Sequence, residues 1–202
     1  IDALAESAMR TWNVEQTIVY NTVQLYRKDR LTYLQSLTKT ATTEGFKIGV
    51  KLVRGAYMEK ERERALNLGY ISPIQPDKMA TDRDFNAALE WCISHLENIA
   101  LCAGSHNEQS NALLCQIMDE LGIDRKDERI WFAQLLGMSD PISFNLARSN
   151  YRVAKYVPYG PIKETIPYLI RRAEENTSVA GQTSRELELI RRENARRIHD
   201  RI

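Results

Sequence analysis

Lys51 and Arg54 close an apolar run that begins at Ile48, in the stretch Lys51-Leu52-Val53-Arg54-Gly55-Ala56-Tyr57, and no acid stands between Lys47 and Met58. The run reads as a buried β-strand, where a charge is costly unless something compensates it. Two sources of compensation fit. A bound ligand can offer phosphate, carboxylate or electron-rich ring atoms, or the side chains can reach a sheet end and pair with distant acids. Gln24, Tyr57, His106, Tyr156, Arg171 and Arg172 join these two cations as candidates. The set is cationic and aromatic, with little acid to act as a base, which suits an anionic substrate and a phosphate-bearing cofactor better than hydrolysis. Of the histidines only His106 falls at a strand end. With His95 and His199 it makes no zinc spacing, so no metal is expected. Ser105-His106-Asn107 opens a helix, either as its cap or as a cofactor contact. Gln24 is either a plain strand-end amide or a hydrogen-bond partner for a cofactor ring. Adjacent helix residues point about 100° apart, so one of Arg171 and Arg172 can face a carboxylate while the other reaches a second anion. The alternative is a solvated pair, with Glu175 at i+4 from Arg171 as an intrahelical partner.

These residues must be held by a scaffold, and its elements are legible. Five β-rich runs are expected at Thr17–Val23, Ile48–Val53, Ile99–Ala103, Arg129–Ala133 and Arg152–Val157; several are mostly apolar and do not alternate, as in strands covered on both faces. Helical periodicity runs over Asp29–Thr43, Asp82–Leu96, Asn107–Leu121 and Pro161–Asn176, and Ala3–Met9 is already amphipathic. Strand-then-helix repetition predicts a parallel sheet with right-handed crossovers. The candidates Gln24, Arg54–Tyr57, Gly104–Asn107, Gln134–Met138 and Tyr156–Gly160 then gather at the carboxyl ends of the strands, where such folds build their sites. No Gly-x-Gly-x-x-Gly follows a strand, which disfavours a dinucleotide-binding Rossmann domain. The reading is α/β, a partial (β/α)8 barrel of about five strands whose first three strands precede Ile1. Residues 1–180 form the partial barrel and 181–202 a helical tail.

Composition restricts the rest. The 202 residues suit one domain, and the formal charge of +1 provides no field for nucleic acid or an anionic membrane. The acids Glu186, Glu188, Glu193 and Asp200 interleave with Arg191, Arg192, Arg196 and Arg197, so the tail reads as a solvated helix. No stretch has the length of a membrane span and no signal-peptide pattern opens the chain. Cys92, Cys102 and Cys115 lack metal spacing and read as buried free thiols of a reducing compartment.

Six collinear stretches carry a family resemblance: Tyr20-Asn21-Thr22-Val23-Gln24-Leu25-Tyr26, Lys51–Tyr57, Ser105-His106-Asn107, Gln134–Met138, Tyr156–Gly160 and Tyr168–Asn176. In order and spacing the chain resembles proline dehydrogenase, the flavin enzyme of proline catabolism, over roughly residues 1–180. The resemblance implies a (β/α)8 barrel that binds FAD and oxidises L-proline to 1-pyrroline-5-carboxylate by hydride transfer to flavin N5. It implies that Gln24 and Lys51 contact the isoalloxazine ring. Arg54, Gly55, Ala56, Ser105, His106, Asn107, Gln134 and Glu175 would serve the rest of the cofactor. It makes Arg171 and Arg172 the clamp on the substrate carboxylate, with Arg172 also reaching the cofactor, and makes Tyr57, Leu135 and Tyr156 the pocket wall. Lys51, Tyr156, Arg171 and Arg172 are then the catalytic set. Lys51 stands where many bacterial bifunctional members have Arg, a point donor in place of a fork. A carboxylate-binding lysine of strand 1 and an acid at the end of strand 3 are absent. Quinone is the implied electron acceptor, and the implied location is cytoplasmic and peripheral on the inner membrane in a bacterium, or the mitochondrial inner membrane or matrix in a eukaryote. Hydroxyproline oxidation and a non-catalytic barrel remnant are the alternatives.

Overall fold

The computed structural model describes residues 1–178 and 182–199, with side chains except at 173–178, 182–186, 189 and 199. It divides into two compact units, Ile1–Val157 and Pro158–Ile202. In the first, five strands form one sheet in sequence order: β1 (Tyr20–Gln24), β2 (Ile48–Val53), β3 (Ile99–Gly104), β4 (Ile130–Leu135) and β5 (Val153–Tyr156). All four neighbouring pairs are parallel. Strands adjacent in sequence are adjacent in space, each pair joined by a crossover, as the alternation of β-rich and helical segments requires.

The helices between them are α1 (Asp2–Trp12), α2 (Arg30–Glu44), α3 (Met58–Leu68), α4 (Lys78–Ile93), α5 (Glu108–Glu120) and α6 (Asp140–Arg148). Their ends follow capping chemistry. The Asp77 carboxylate accepts from Ala80 N at 2.7 Å at the start of α4, Asn107 accepts from Ser110 N at 3.0 Å at the start of α5, and Gly45 ends α2 in the left-handed region at φ 77°. Two of these helices are not among those expected. In α3 the sequence Met-Glu-Lys-Glu-Arg-Glu-Arg-Ala-Leu-Asn-Leu buries only Ala65, so it has no apolar stripe to read, and α6 spans only nine residues.

The core lies on one face of the sheet. Val23, Val50, Leu52, Leu101, Ala103, Ile130 and Phe132 pack there with Leu34, Leu37, Phe85, Leu89, Leu114 and Met118 from the helices. Because strand side chains alternate, Gln24, Lys51, Val53, Cys102, Gly104, Leu135 and Tyr156 project from the other face. The expectation of equal cover on both faces is corrected: β2 and β3 alternate near their carboxyl ends, with Leu52 and Ala103 buried and Lys51, Val53, Cys102 and Gly104 half-buried. All three cysteines are free; Cys92 is buried, and Cys102 and Cys115 are half-buried.

The second unit contains α7 (Ile162–Ser178) and α8 (Gln182–His199). Pro161 immediately precedes α7, consistent with proline's preference for a helix start. Ion pairs such as Arg196 to Glu193 at 2.8 Å run along α8, the solvated pattern its interleaved charges predict. No described helix is long and apolar enough to cross a membrane.

Candidate active site

The sheet face away from the helices brings four of the expected residues together. Register pairs Thr22 with Lys51, Lys51 with Cys102, and Leu135 with Tyr156, so the side chains in each pair share a face. The Lys51 ammonium lies 5.3 Å from the centre of the Tyr156 ring, a cation–π approach across the sheet. Among the described residues no carboxylate pairs with Lys51. The Gln24 carboxamide, on the same face, likewise makes no hydrogen bond within the described set. Glycine matters beside them: a Cβ on Gly104 would stand 3.0 Å from Val53 Cγ1 and 3.2 Å from Lys51 Cε, so its absence leaves room for the lysine stem. Burial raises the Cys102 thiol, and Lys51 opposes that shift.

Arg54 finds a different solution. Its Nε donates to Asp82 Oδ1 at 2.6 Å, while its two terminal nitrogens donate to Ser105 Oγ and Ser110 Oγ, each at 2.8 Å. The guanidinium stacks 4.3 Å from the Phe85 ring centre. Burial pushes the Arg54 pKa down and Asp82 pulls it back; the net shift is downward. For Asp82, burial raises the pKa, but hydrogen bonds from Lys78 and Arg54 bring it below its ordinary value. Of the two sources of compensation open to the cations of β2, Arg54 thus uses a remote acid, 28 positions along the chain on α4. Sequence reasoning missed Asp82, and its only signal there is an acid in the first turns of an amphipathic helix.

Around the ends of β3 and β4 the groups are mostly committed to the fold. Ser105 is buried, accepts from Arg54 and from Asn107 N, and its carbonyl accepts from Asn111 and Gln134. Gln134 is buried too, with its carbonyl oxygen accepting from Ser143 Oγ at 2.9 Å. Asn107 caps α5, so the capping role of the Ser105–Asn107 stretch is realised. His106 Nδ1 lies 2.9 Å from Ser139 Oγ; burial, with Lys155 adding to it, pushes its imidazole pKa down to about 4. Gly55 holds φ 117°, and a Cβ there would meet Tyr26 Cδ1 at 2.2 Å, so this turn admits glycine alone. Ala56 is half-buried, and Tyr57, at the start of α3, is exposed with Lys60 Nζ 5.9 Å from its ring centre.

In the second unit, α7 carries the paired arginines. Arg171 Nε is buried and has no hydrogen-bond partner among the described residues, an orphaned donor suited to an anion. Arg172 stacks 4.8 Å from the Tyr168 ring centre. The Glu175 side chain lies outside the described residues. Among the described residues no group of three or more His, Cys, Asp or Glu residues could hold a metal ion.

Within the first unit the donors are of the kind that fits a flavin ring edge, and within the second the orphaned Arg171 Nε is of the kind that fits an anion. Among the described residues the Lys51 and Gln24 side-chain donors of the first unit have no hydrogen-bonding or ion-pair partner, and aromatic Tyr156 lies beside Lys51.

A model described as Proline dehydrogenase matches residues 1–185. Human mitochondrial proline dehydrogenase 1 is 42% identical over 201 residues, which cover 98% of this chain and 34% of that protein. Bovine hydroxyproline dehydrogenase is 44% identical over 184 residues, covering 89% of this chain and 40% of that protein. The crystal structure of proline utilization A from Bdellovibrio bacteriovorus, inactivated by N-propargylglycine, superposes with a TM-score of 0.75 at 29% identity, over 80% of this chain and 17% of that one. The chain spans about a third of the length of the curated relatives it matches.

Proposed function

The chain belongs to the proline dehydrogenase family, with an α/β fold of the (β/α)8 barrel type, and from that membership we propose that it carries the cofactor- and substrate-binding half of an FAD-dependent L-proline oxidase. The observation that carries this reading is that Lys51 and Gln24 share one sheet face, the ammonium beside the Tyr156 ring, and that among the described residues the ammonium has no carboxylate and the carboxamide no hydrogen bond. FAD, when bound, supplies the two-electron acceptor that takes a hydride from the proline ring carbon next to nitrogen, giving 1-pyrroline-5-carboxylate.

The chain's own residues orient the reactants. Lys51 and Gln24 donate to the isoalloxazine ring, Lys51 near N5. Arg54, Gly55, Ala56, Ser105, His106, Asn107, Gln134 and Glu175 form or support the remainder of the cofactor site. Arg54 acts there as a prefolded cation, fixed by Asp82 before any ligand arrives. Ser105, Asn107 and Gln134 contribute through the backbone shape they stabilise. Arg171 and Arg172 hold the substrate carboxylate through charge-assisted hydrogen bonds, and Arg172 also reaches the cofactor. Tyr57, Leu135 and Tyr156 enclose the pyrrolidine ring. Fixing substrate and acceptor in a reactive pose lowers the barrier by removing orientational entropy from the chemical step. Quinone is the proposed electron acceptor. The relatives named mitochondrial support a mitochondrial location, with any membrane contact peripheral.

A second reading, hydroxyproline oxidation, is favoured by the 44% identity to bovine hydroxyproline dehydrogenase. A hydroxyl on the ring needs space and a polar partner, and the bulk of Tyr156 argues for proline. The test is a protein of the relatives' full length containing this sequence, purified and assayed with both substrates. Flavin absorbance and a higher kcat/KM for proline are expected. A colourless, inactive protein would overturn the oxidase, and a higher kcat/KM for hydroxyproline would replace the substrate.

A further inference from the structure

Lys155 precedes Tyr156 on β5 and, by alternation, projects from the opposite face, where it pairs in register with Gln134. Its ammonium is not solvated freely. Nζ donates to Met138 O at 2.8 Å and to Leu135 O at 3.4 Å, and it pairs with Asp140 Oδ1 at 2.8 Å. One side chain therefore ties together the end of β4, the turn that follows it and the first residue of α6. That turn needs a tie. Ser139 sits in the left-handed region at φ 52°, a conformation that costs a non-glycine residue and persists only where its surroundings enforce it. Ser139 is buried and uses both its polar oxygens: Oγ meets His106 Nδ1 at 2.9 Å and its carbonyl accepts from Ser143 N at 3.1 Å. On the near side of the turn, Leu136 N donates to Tyr156 O at 2.9 Å. Lys155 and Tyr156 thus grip the same turn, one by its side chain and the other by its backbone.

We propose that Lys155 is a positioning residue: by holding the β4–α6 turn it places Leu135 against Tyr156 in the substrate pocket and holds His106, through Ser139, at the end of β3. This rests on the reading of that pocket as a flavin and proline site. Lys155 itself touches neither ligand and acts through the turn. A salt bridge to Asp140 alone, whose side chain is half exposed, would be worth little. The two backbone carbonyls make the lysine a structural crosslink, because one closes β4 at Leu135 and the other, Met138, lies in the turn between β4 and α6.

The test uses Lys155→Met, Lys155→Arg and Asp140→Asn in a protein of the relatives' full length. Lys155→Met is expected to speed amide hydrogen exchange at Leu136–Asp140 and leave the strands unchanged. It should also lower kcat/KM for proline about tenfold, chiefly through KM, the signature of a misplaced pocket wall in an intact reaction. Lys155→Arg, which keeps the charge and the donors, should recover most of that loss. Asp140→Asn should show the same exchange pattern more weakly, and it reads the idea if Lys155→Met does not fold. Unchanged exchange in the turn, kinetic constants within about twofold of wild type, or an arginine variant no better than methionine would overturn the proposal. If the wild-type protein oxidises no proline, the functional reading fails by itself, while the exchange measurement still decides whether Lys155 holds the turn.

Discussion

The Lys51 ammonium faces the Tyr156 ring with no carboxylate among the described residues, whereas the Arg54 guanidinium, three positions on, is enclosed by Asp82, Ser105, Ser110 and Phe85. That division supports the different work proposed for them, Lys51 toward a ligand and Arg54 toward holding the strand ends around one. In the second unit the Arg171 Nε, buried and without a partner among the described residues, is likewise suited to a ligand, since a buried donor without a partner is rare in a finished fold. Arg171→Ala or Arg172→Ala in the full-length protein should therefore raise the KM for proline, by the roughly 2–5 kcal/mol that removing one partner of a desolvated ion costs. Michaelis constants within twofold of wild type in both variants would defeat the clamp. Tyr156→Ser removes bulk beside Lys51 and should narrow the preference for proline over hydroxyproline, by roughly 1–3 kcal/mol in the ratio of specificity constants. An unchanged ratio in a folded, flavin-loaded variant would take Tyr156 out of the pocket.

Among the elements, α4 and the β3–α5 junction brace the carboxyl ends of the strands. Asp82 is the part of α4 that neutralises Arg54, and Lys78 supports it one turn earlier. Asp82→Asn should cost roughly 1–3 kcal/mol of stability, below the figure for a fully buried pair because both side chains keep some solvent. Urea unfolding reads this directly, and a loss under about 0.5 kcal/mol would mean that the serines and Phe85 suffice. His106 gives the junction a pH dependence. Burial, with Lys155 nearby, favours its neutral ring, with a folded pKa of about 4 against an ordinary value of 6.5. The unfolded chain therefore binds the proton first. This contribution is complete above pH 6.5 and is lost as the pH falls toward 4, on the order of 3 kcal/mol across the window. His106→Gln should flatten the fall in unfolding free energy between pH 7 and 5, and an identical slope in the variant would remove His106 as its source.

At the scale of the whole molecule, five strands make an open sheet in which β1 and β5 each pair on one side only among the described residues. A closed barrel of this type needs eight strands, and its interior is the face that carries Gln24, Lys51, Leu135 and Tyr156. Residues 1–202 expressed alone are therefore expected to bind flavin poorly and oxidise no proline. A protein of the relatives' length, about three times that of this chain, should do both. Flavin absorbance with steady-state proline oxidation by the 202-residue chain would contradict this.

The sequence by itself determined the parallel alternation of strands and helices, because apolar runs and helical periodicity are local signals. It also placed Gln24, Lys51 and Tyr156 near strand ends, and the six collinear stretches named the family. It could not show α3, whose helix buries one alanine, nor choose between the two ways of compensating the cations of β2. Only the tertiary structure decided that Arg54 meets Asp82 and Lys51 meets no acid among the described residues, that Gln134 and Ser105 are committed to the fold, and that Lys155 ties the β4–α6 turn. The reason is physical. Arg54 and Asp82, Ser105 and Gln134, and Lys155 and Met138 stand 28, 29 and 17 positions apart, and which side chains meet is set by strand register and crossover packing, which no local pattern encodes.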